Sequence, residues 1–305
     1  MAAIRSLRRM GSAARTAAFG VKCVTLHYLN RAPLPLIRGL VLSNRCNLRC
    51  RHCKLSSRGA LDMTFDEACR VVDDYYREGG RCLYLEGGEP FLWRDGERGL
   101  DDIVAHAHRR GYLTVVVYTN GTFPIVTTAD TVFVSIDGLH DTHDALRGRS
   151  FDRIVANIRS STHPSMFVNY TINARNRNDI RPFLEFVDTI DRIRAVFFYF
   201  HTPYYGYDDL YLGPDERRAT VIELLELRKR HGVLNSRAGL LSVLRNDWQR
   251  PLAACSVYEG GTVYSCCRLS GDPALCRQCG YLSYAEIDQT WKLKPSAVLN
   301  ALKYF

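Results

Sequence analysis

The 305-residue chain contains no run of 18 apolar residues, so no transmembrane helix is expected. Its beginning lacks a clear apolar stretch with a cleavage site, so a secretory signal is not expected either. No internal repeat and no low-complexity tract occurs. The 11 cysteines fall mainly in two groups, which indicates metal-binding thiols in a reducing cytoplasm more than a disulfide framework.

Acidic residues are fewer than basic ones, 32 against 41, and the formal net charge is +9. Such a surplus attracts phosphates, carboxylates, nucleic acid or acidic lipid headgroups, and it also fits a generally basic proteome. Residues 1–35 form a basic N-terminal extension in which Ile4, Leu7 and Met10 are spaced as in a helix. This pattern indicates either a membrane-surface contact or a solvated tail.

Strands alternate with helices over residues 36–235, which is typical of a parallel sheet. Six strand–helix units fall short of the eight of a closed barrel. The prediction is an α/β fold, a partial (βα)6 TIM-like barrel, with residues 236–305 as a small cysteine-rich C-terminal cap. Strands are predicted at 36–42, 82–86, 113–118, 131–136, 167–172 and 195–200, and helices at 64–78, 100–110, 151–160, 180–190 and 219–231.

Three cysteines, Cys46, Cys50 and Cys53, follow the first predicted strand with C-x3-C-x2-C spacing. Parallel-sheet proteins place their chemistry at such strand ends. A [4Fe–4S] cluster normally takes four cysteines, so three would leave one iron open to a small-molecule ligand. Zinc is the competing interpretation, with His52 as a fourth ligand, although structural zinc favours paired C-x2-C spacing.

This motif resembles the signature of the radical S-adenosylmethionine (radical SAM) superfamily, with His52 where that family has an aromatic-type residue. The resemblance extends over roughly residues 36–200. Further matching segments follow in chain order at strand ends, and they contain Gly87, Gly88, Glu89 and Pro90, then Ser135 and Asp137, then Asn173 within the segment 169–176.

The resemblance implies that the open iron of a [4Fe–4S] cluster chelates S-adenosylmethionine, and that Glu89 and the adjoining backbone bind its amino group. It also implies contacts from Ser135 and Asp137 to the ribose or carboxylate, and from Asn173 to the ribose or adenine. Alternatively, Ser135 and Asp137 form a turn and Asn173 caps the next element. Arg147 either pairs with the SAM carboxylate or holds the loop through an ion pair.

A second group of cysteines follows the barrel and resembles the opening of the SPASM domain, or its shorter "twitch" version. The resemblance implies an auxiliary [4Fe–4S] cluster held by Cys255, Cys266, Cys276 and Cys279. Because neighbouring residues in an extended segment point apart, Cys267 is expected to be spare, and it is a candidate hydrogen donor. A structural four-cysteine zinc site is the alternative.

The resemblance therefore predicts an enzyme that cleaves SAM and abstracts hydrogen from a small-molecule or lipid substrate. The basic charge of the chain fits an anionic substrate. A dehydrogenase-type oxidation is the first expectation, with epimerisation or adenosyl or C–C bond formation as alternatives. His201 and its aromatic neighbours line the substrate cavity or simply pack at a strand end. The expected partner is a reductant such as flavodoxin or ferredoxin, with no nucleic acid, although a zinc- or nucleic-acid-binding protein is the alternative of another class.

Overall fold

The computed structural model describes residues 35–53, 55, 61–204, 206–250, 253–268 and 272–304. The helix expected near the N-terminus, and with it the membrane-surface contact, lies outside these residues. Across the described ranges no helix is both long and apolar enough to span a membrane.

Six strands in chain order pair side by side in parallel and confirm the predicted α/β sheet. All six lie within two residues of their predicted bounds, because each is a short apolar run ended by turn residues. They are β1 (Ile37–Val41), β2 (Cys82–Glu86), β3 (Thr114–Thr119), β4 (Thr131–Ser135), β5 (Met166–Ile172) and β6 (Ile193–Phe200).

The helices between these strands cover the sheet. They are α1 (Phe65–Arg77), α2 (Leu100–Arg110), α3 (His140–Arg147), α4 (Phe151–Ser160), α5 (Ile180–Val187) and α6 (Pro214–Leu227). Thr64 and Glu67 form the predicted capping box at the start of α1. The predicted start of α6 at residue 219 is wrong, because Gly213 caps the helix and Pro214 occupies its first turn. Helix α3 was not predicted.

The C-terminal region continues the sheet as well as covering it. Strand β7 (Cys255–Glu259) pairs in parallel with β1, and β8 (Thr262–Ser265) pairs antiparallel with β7. Four helices accompany this hairpin, α7 (Arg237–Arg245), α8 (Pro273–Arg277), α9 (Leu282–Trp291) and α10 (Pro295–Tyr304). The sequence did not predict this extension, because a four- or five-residue strand does not reveal its partner.

Two large hydrophobic clusters hold the barrel together, one around β1–β3 and one around β4–β6. A third, smaller cluster lies in the C-terminal region and contains Trp248, Cys255, Cys266, Tyr284 and Ala285. We call it the C-terminal mini-core. Two of the predicted cluster ligands therefore lie in an apolar environment.

Candidate active site

The loop of residues 46–53, which we call the cysteine loop, directly follows the β1 region. Cys46 and Cys50 are partly buried and Cys53 is exposed. The Leu48 amide donates to the Cys46 sulfur at 3.4 Å, and Asn120 Nδ2 lies 3.7 Å from the same atom. Donors aimed at sulfur stabilise its thiolate form, which is the form that binds iron.

Burial raises the pKa of the Cys46 thiol and raises that of Cys50 to about 11. For Cys50 the nearby Arg147 guanidinium opposes this shift, with Nη1 3.8 Å from the sulfur. The Cys53 thiol raises the pKa of both Cys46 and Cys50, and Cys46 raises that of Cys50, so the three lie close enough to interact. Such thiols ionise readily only beside a cation, and a metal centre supplies that charge.

Gly87 and Gly88 fit tightly against the start of the cysteine loop. A Cβ on Gly87 would lie 2.2 Å from the Ser43 carbonyl oxygen, and one on Gly88 would lie 2.0 Å from that of Arg45. The Gly88 and Glu89 amides donate to these same carbonyls at 2.8 Å. Only glycine permits this approach, so the pair holds the end of β2 against the cysteine loop.

Glu89 links the ends of β2 and β3, and its side chain is 1% exposed. Its Oε1 accepts from Thr119 Oγ1 at 2.7 Å and from the Phe91 amide, while Oε2 accepts from the Asn120 amide at 2.7 Å. Burial raises the pKa of this carboxyl group, and these three donors oppose the shift. Oε2 retains one acceptor position, which matches the predicted ammonium contact. Pro90 is buried and begins the short 3-10 turn that Glu89 caps.

Asp137 is fully buried, and both of its oxygens are engaged within the chain. Oδ2 accepts from Arg147 Nε at 2.5 Å, and Oδ1 accepts from the Thr171 amide at 2.7 Å. Burial would raise the pKa of Asp137, but Arg147, His52 and the Thr171 amide together outweigh it and the pKa is lowered. Asp137 therefore positions Arg147 beside Cys50, which supports the ion-pair interpretation of Arg147 and the turn interpretation of Asp137.

His52 lies above this ion pair, with Nε2 3.7 Å from Asp137 Oδ2. Burial, assisted by Arg147, lowers its pKa to about 4, so the ring is neutral near pH 7. Its buried Nδ1 has no hydrogen-bond partner among the described residues. A buried polar atom without a partner needs an explanation, and a contact to a bound ligand at the cysteine loop, to which His52 belongs, would provide one.

For the predicted contacts to ribose and adenine, the structure favours a different asparagine from the one that the sequence indicated. Ser135 and Asn169 face each other across β4 and β5, both partly exposed, and Asn169 Oδ1 has no partner in the described ranges. Asn173 is fully buried, with Nδ2 donating to Thr171 O and Oδ1 accepting from the Arg175 amide. These contacts favour the local-turn role for Asn173 and make Asn169 the better candidate.

A small cavity of about 80 Å³ opens where β6 ends, and its lining includes His52, His201, Tyr204 and Asp208. His201 Nε2 lies 3.1 Å from Asp208 Oδ1. Burial lowers the pKa of His201, while Asp208 opposes that shift. The predicted substrate-side residue and the cysteine loop thus share one cavity, and a neutral histidine there is equipped to accept a proton.

The five cysteines 255, 266, 267, 276 and 279 form the C-terminal cysteine set. Cys255 and Cys266 are buried in the mini-core, and the Cys266 amide donates to the Cys255 carbonyl at 2.8 Å. Burial raises the pKa of Cys255 to about 12 and that of Cys279 to about 11. Cys266 adopts φ 68°, a left-handed conformation, so the chain turns sharply before Cys267.

The Cys267 thiol contributes to the raised pKa of Cys279, and it also raises the pKa values of Tyr204 and Tyr281, so it lies near all three side chains. Cys267 thus lies near Tyr204, which lines the small cavity, and its role as a spare thiol stays a prediction. Its proximity to Cys279 also makes it a second candidate for the fourth ligand, beside Cys266.

Across the part of the chain that the structure describes, no three His, Cys, Asp or Glu side chains converge closely enough to hold a single metal ion. An iron–sulfur cluster makes a different demand, since its cysteine ligands bind separate irons at its corners. Three thiols on one loop, sulfur-directed donors, a glycine cradle and the unsatisfied His52 nitrogen fit such a group at the cysteine loop.

Asn120 and Asn169 are the site residues that sequence reasoning missed. Asn120 connects Cys46, Glu89 and Asn47, the last through a 2.9 Å hydrogen bond from Nδ2. The sequence could have indicated Asn120, because this residue directly follows β3 and therefore lies at the same edge of the sheet as the cysteine loop. Asn169 lay within the matching segment 169–176, but no pattern distinguished it from Asn173.

Comparison with known proteins agrees with this geometry. Residues 40–187 match the model described as "Radical SAM superfamily". The pre-heme d1 synthase of Dinoroseobacter shibae is 31% identical over 203 residues, which are 61% of this chain and 48% of that protein. The AdoMet-dependent heme synthase of Methanosarcina barkeri is 33% identical over 156 residues, 46% of this chain and 43% of that protein. The chain thus spans about half the length of these curated relatives.

The fold is also found among solved structures. Streptococcus suis SuiB bound to S-adenosylmethionine superposes with a TM-score of 0.62 at 15% identity, covering 90% of this chain and 70% of SuiB. Among sequence relatives, the subtilosin biosynthesis protein AlbA of Bacillus subtilis is 27% identical over 169 residues, 51% of this chain and 37% of AlbA. The partial-barrel prediction is therefore confirmed.

Proposed function

Because the chain belongs to the radical SAM superfamily, we propose that it cleaves S-adenosylmethionine reductively at a cluster held by Cys46, Cys50 and Cys53. Enzymes of this family use SAM and a [4Fe–4S] cluster, and the bound pair supplies one-electron SAM cleavage and hydrogen-atom removal from a substrate. The observation that carries the proposal is the network joining the cysteine loop to Glu89. In it, Asn120 approaches Cys46 and donates to Glu89.

In this proposal the chain's own residues bind and orient the cofactors. Glu89 accepts the SAM ammonium at Oε2, and Gly87 and Gly88 keep that carboxylate next to the cysteine loop. Arg147 stabilises the Cys50 thiolate and is itself held by Asp137. Ser135 lies at the end of β4, opposite Asn169 in β5, and both are assigned to the ribose or adenine. Asp137 and Asn173 act by positioning these groups.

The reaction that we propose is an oxidation of an organic small molecule. Its support is the C-terminal cysteine set, in which Cys255, Cys276 and Cys279, with Cys266 or Cys267, would hold an auxiliary cluster. A centre ligated by four cysteines has no open iron, so it suits electron transfer better than substrate binding. His201, paired with Asp208, would take the proton that such an oxidation releases.

Two relatives whose names describe heme-type synthases support a small-molecule substrate. A peptide substrate is the second candidate, since AlbA is described as a bacteriocin biosynthesis protein. A lipid substrate has no counterpart among these relatives. As reductant we propose a flavodoxin or ferredoxin.

The test uses anaerobically reconstituted protein with SAM and dithionite. We expect 5′-deoxyadenosine, together with about eight irons and eight sulfides per chain if both clusters are present. Two zincs per chain and no sulfide would overturn the proposal. Deuterated peptide and tetrapyrrole substrates then separate the two candidates, because deuterium will appear in 5′-deoxyadenosine only with the true substrate class.

A further inference from the structure

An open cleft of about 540 Å³ lies at the opposite end of β6 from His201. Its walls come from the start of β6, the segment that follows α6, and α10. Arg194 and His201 are seven residues apart along the strand and its end, which is roughly 23 Å. The cleft is therefore separate from the cavity at the cysteine loop.

The cleft, which we call the basic cleft, is lined by five cationic side chains and by no acidic residue among those described. The cations are Arg194, Arg228, Lys229, Arg230 and Lys303. Four of them are exposed, and Arg228 is half-buried. Like charges gathered in one concave surface repel each other, and the low-dielectric walls concentrate their field.

Little of this charge is neutralised within the described part of the chain. Lys229 pairs with Glu226 at 2.6 Å, whereas the other four cations have no carboxylate within 4 Å among the described residues. Arg194 donates to the Ser165 hydroxyl and to the Tyr304 and Lys303 carbonyls, and Arg228 donates to the Asn235 carbonyl. These acceptors fix the two guanidinium groups in place without removing their charge.

We propose that the basic cleft binds an oligophosphate group. Its volume is that of a small-molecule site. A ligand that neutralises four or five cations in this volume needs several negative charges in a few ångströms, which linked phosphates provide. Arginine guanidinium groups bind phosphate oxygens in pairs, and lysine ammonium groups add point charges.

A bound oligophosphate would bridge β6, the segment after α6, and α10. Since it contacts only the folded arrangement of these elements, it stabilises the folded chain in proportion to its concentration. Thermal unfolding and calorimetric titration therefore both report on the site, and neither requires SAM cleavage.

The experiment titrates sodium tripolyphosphate into the anaerobically reconstituted full chain. We compare it with the double variant Arg230→Gln/Lys303→Gln, which changes two exposed side chains. Arg153→Gln/Arg159→Gln removes two charges from the exposed side of α4 and is the matched control. We expect at least about tenfold weaker binding in the first variant and an unchanged Kd in the control, since tenfold corresponds to one charge-assisted contact.

Absence of tripolyphosphate binding, or an equal loss in both variants, would overturn the proposal. So would an equal rise in melting temperature with sulfate at matched ionic strength, because that indicates screening alone. Sedimentation with cardiolipin vesicles, whose headgroup carries two phosphates joined by a glycerol, distinguishes the sources of phosphate. Vesicle binding that requires Arg230 and Lys303 would identify the ligand as a lipid headgroup. Tripolyphosphate binding without vesicle binding would identify it as a free oligophosphate.

Discussion

The cysteine loop and the C-terminal cysteine set present similar thiols in opposite surroundings. At the loop, Cys46 and Cys50 face nitrogen donors from Asn120 and Arg147, and Cys53 is exposed. In the C-terminal set, Cys255 and Cys266 are 5% exposed and pack against Trp248 and Tyr284. The environment of the cysteine loop leaves room for a ligand beside a metal centre. The environment of the C-terminal set would enclose a metal centre on all sides.

The strongest test of this difference is to remove each set in turn. We expect Cys46→Ala/Cys50→Ala/Cys53→Ala to abolish 5′-deoxyadenosine formation in folded protein and to leave one [4Fe–4S] signal by electron paramagnetic resonance. Replacement of Cys255, Cys276 and Cys279 by alanine should leave some SAM cleavage. If the first variant still cleaves SAM, the assignment of the loop is wrong. A folded variant without any remaining cluster signal would remove the second site.

The second prediction concerns the buried ion pair beside the cysteine loop. Arg147→Met leaves the fully buried Asp137 without its cation, and such losses cost about 3–5 kcal/mol of folding stability. Arg147→Met/Asp137→Asn should recover part of that loss, because it removes the unpaired charge. Arg98→Met breaks an exposed pair with Asp102 and should cost at most about 1 kcal/mol. Urea unfolding measures all three, and equal losses for Arg147→Met and Arg98→Met would contradict the argument.

The C-terminal region contains a different kind of buried acidic group, a carboxyl group with no cation at hydrogen-bonding distance among the described residues. Glu286 Oε1 accepts from the Ser236 amide at 2.9 Å, and burial raises its pKa to about 7 from an ordinary 4.5. The folded state thus binds a proton more tightly than the unfolded state. Its contribution to stability is fully present below pH 4.5 and is lost as the pH rises through 7.

Glu286→Gln keeps an oxygen acceptor for Ser236 and removes the ionisation. We expect the fall in unfolding free energy between pH 5 and 8 to shrink by on the order of 2 kcal/mol, since partial exposure reduces the full effect of the shift. Glu226→Gln, an exposed change on α6, should leave that fall unaltered. Parallel stability curves for Glu286→Gln and the original chain would refute the shifted pKa.

Within the cysteine loop region, Glu89→Gln tests ligand binding rather than folding. Loss of the charge that is proposed to hold the SAM ammonium should cost roughly 1.5–3 kcal/mol, at least a tenfold increase in Kd. Equilibrium binding of SAM to reconstituted protein measures it. An unchanged Kd would mean that the Glu89 carboxylate only accepts hydrogen bonds from Thr119 and Asn120 and does not bind SAM.

The two regions also differ in how far the sequence could predict them. The cysteine loop, the β2 turn and the strands that carry them are contiguous patterns, and their order along a parallel sheet brings them to one edge. The roles of Asn120 and Asn169 depended on side-chain directions that no spacing encodes. For the C-terminal set, the pairing of β7 with β1 and the turn at Cys266 depend on tertiary contacts, so neither the sheet extension nor the surroundings of each thiol could be derived.

The smallest expected effect distinguishes the two adjacent cysteines of the C-terminal set. Cys266 is buried in the mini-core, and Cys267 is half-buried and lies near Tyr204 and Tyr281. If Cys266 is the fourth ligand, Cys267→Ala should leave the second cluster, the stability and SAM cleavage nearly unchanged, whereas Cys266→Ala should lose the cluster. The reverse pattern in the iron content would make Cys267 the ligand.

Substrate turnover then separates the two reaction types that the set permits. In an oxidation the auxiliary cluster receives the substrate's second electron, so Cys267→Ala should have little effect on product formation. In an epimerisation Cys267 would return a hydrogen atom, so Cys267→Ala should stop the reaction after hydrogen abstraction and leave 5′-deoxyadenosine in excess over product. Cys267 lies near Tyr204, which lines the cavity together with His201, and this position is compatible with such a transfer. A silent Cys267→Ala with an intact cluster would therefore favour oxidation, with His201 as the group that takes the proton.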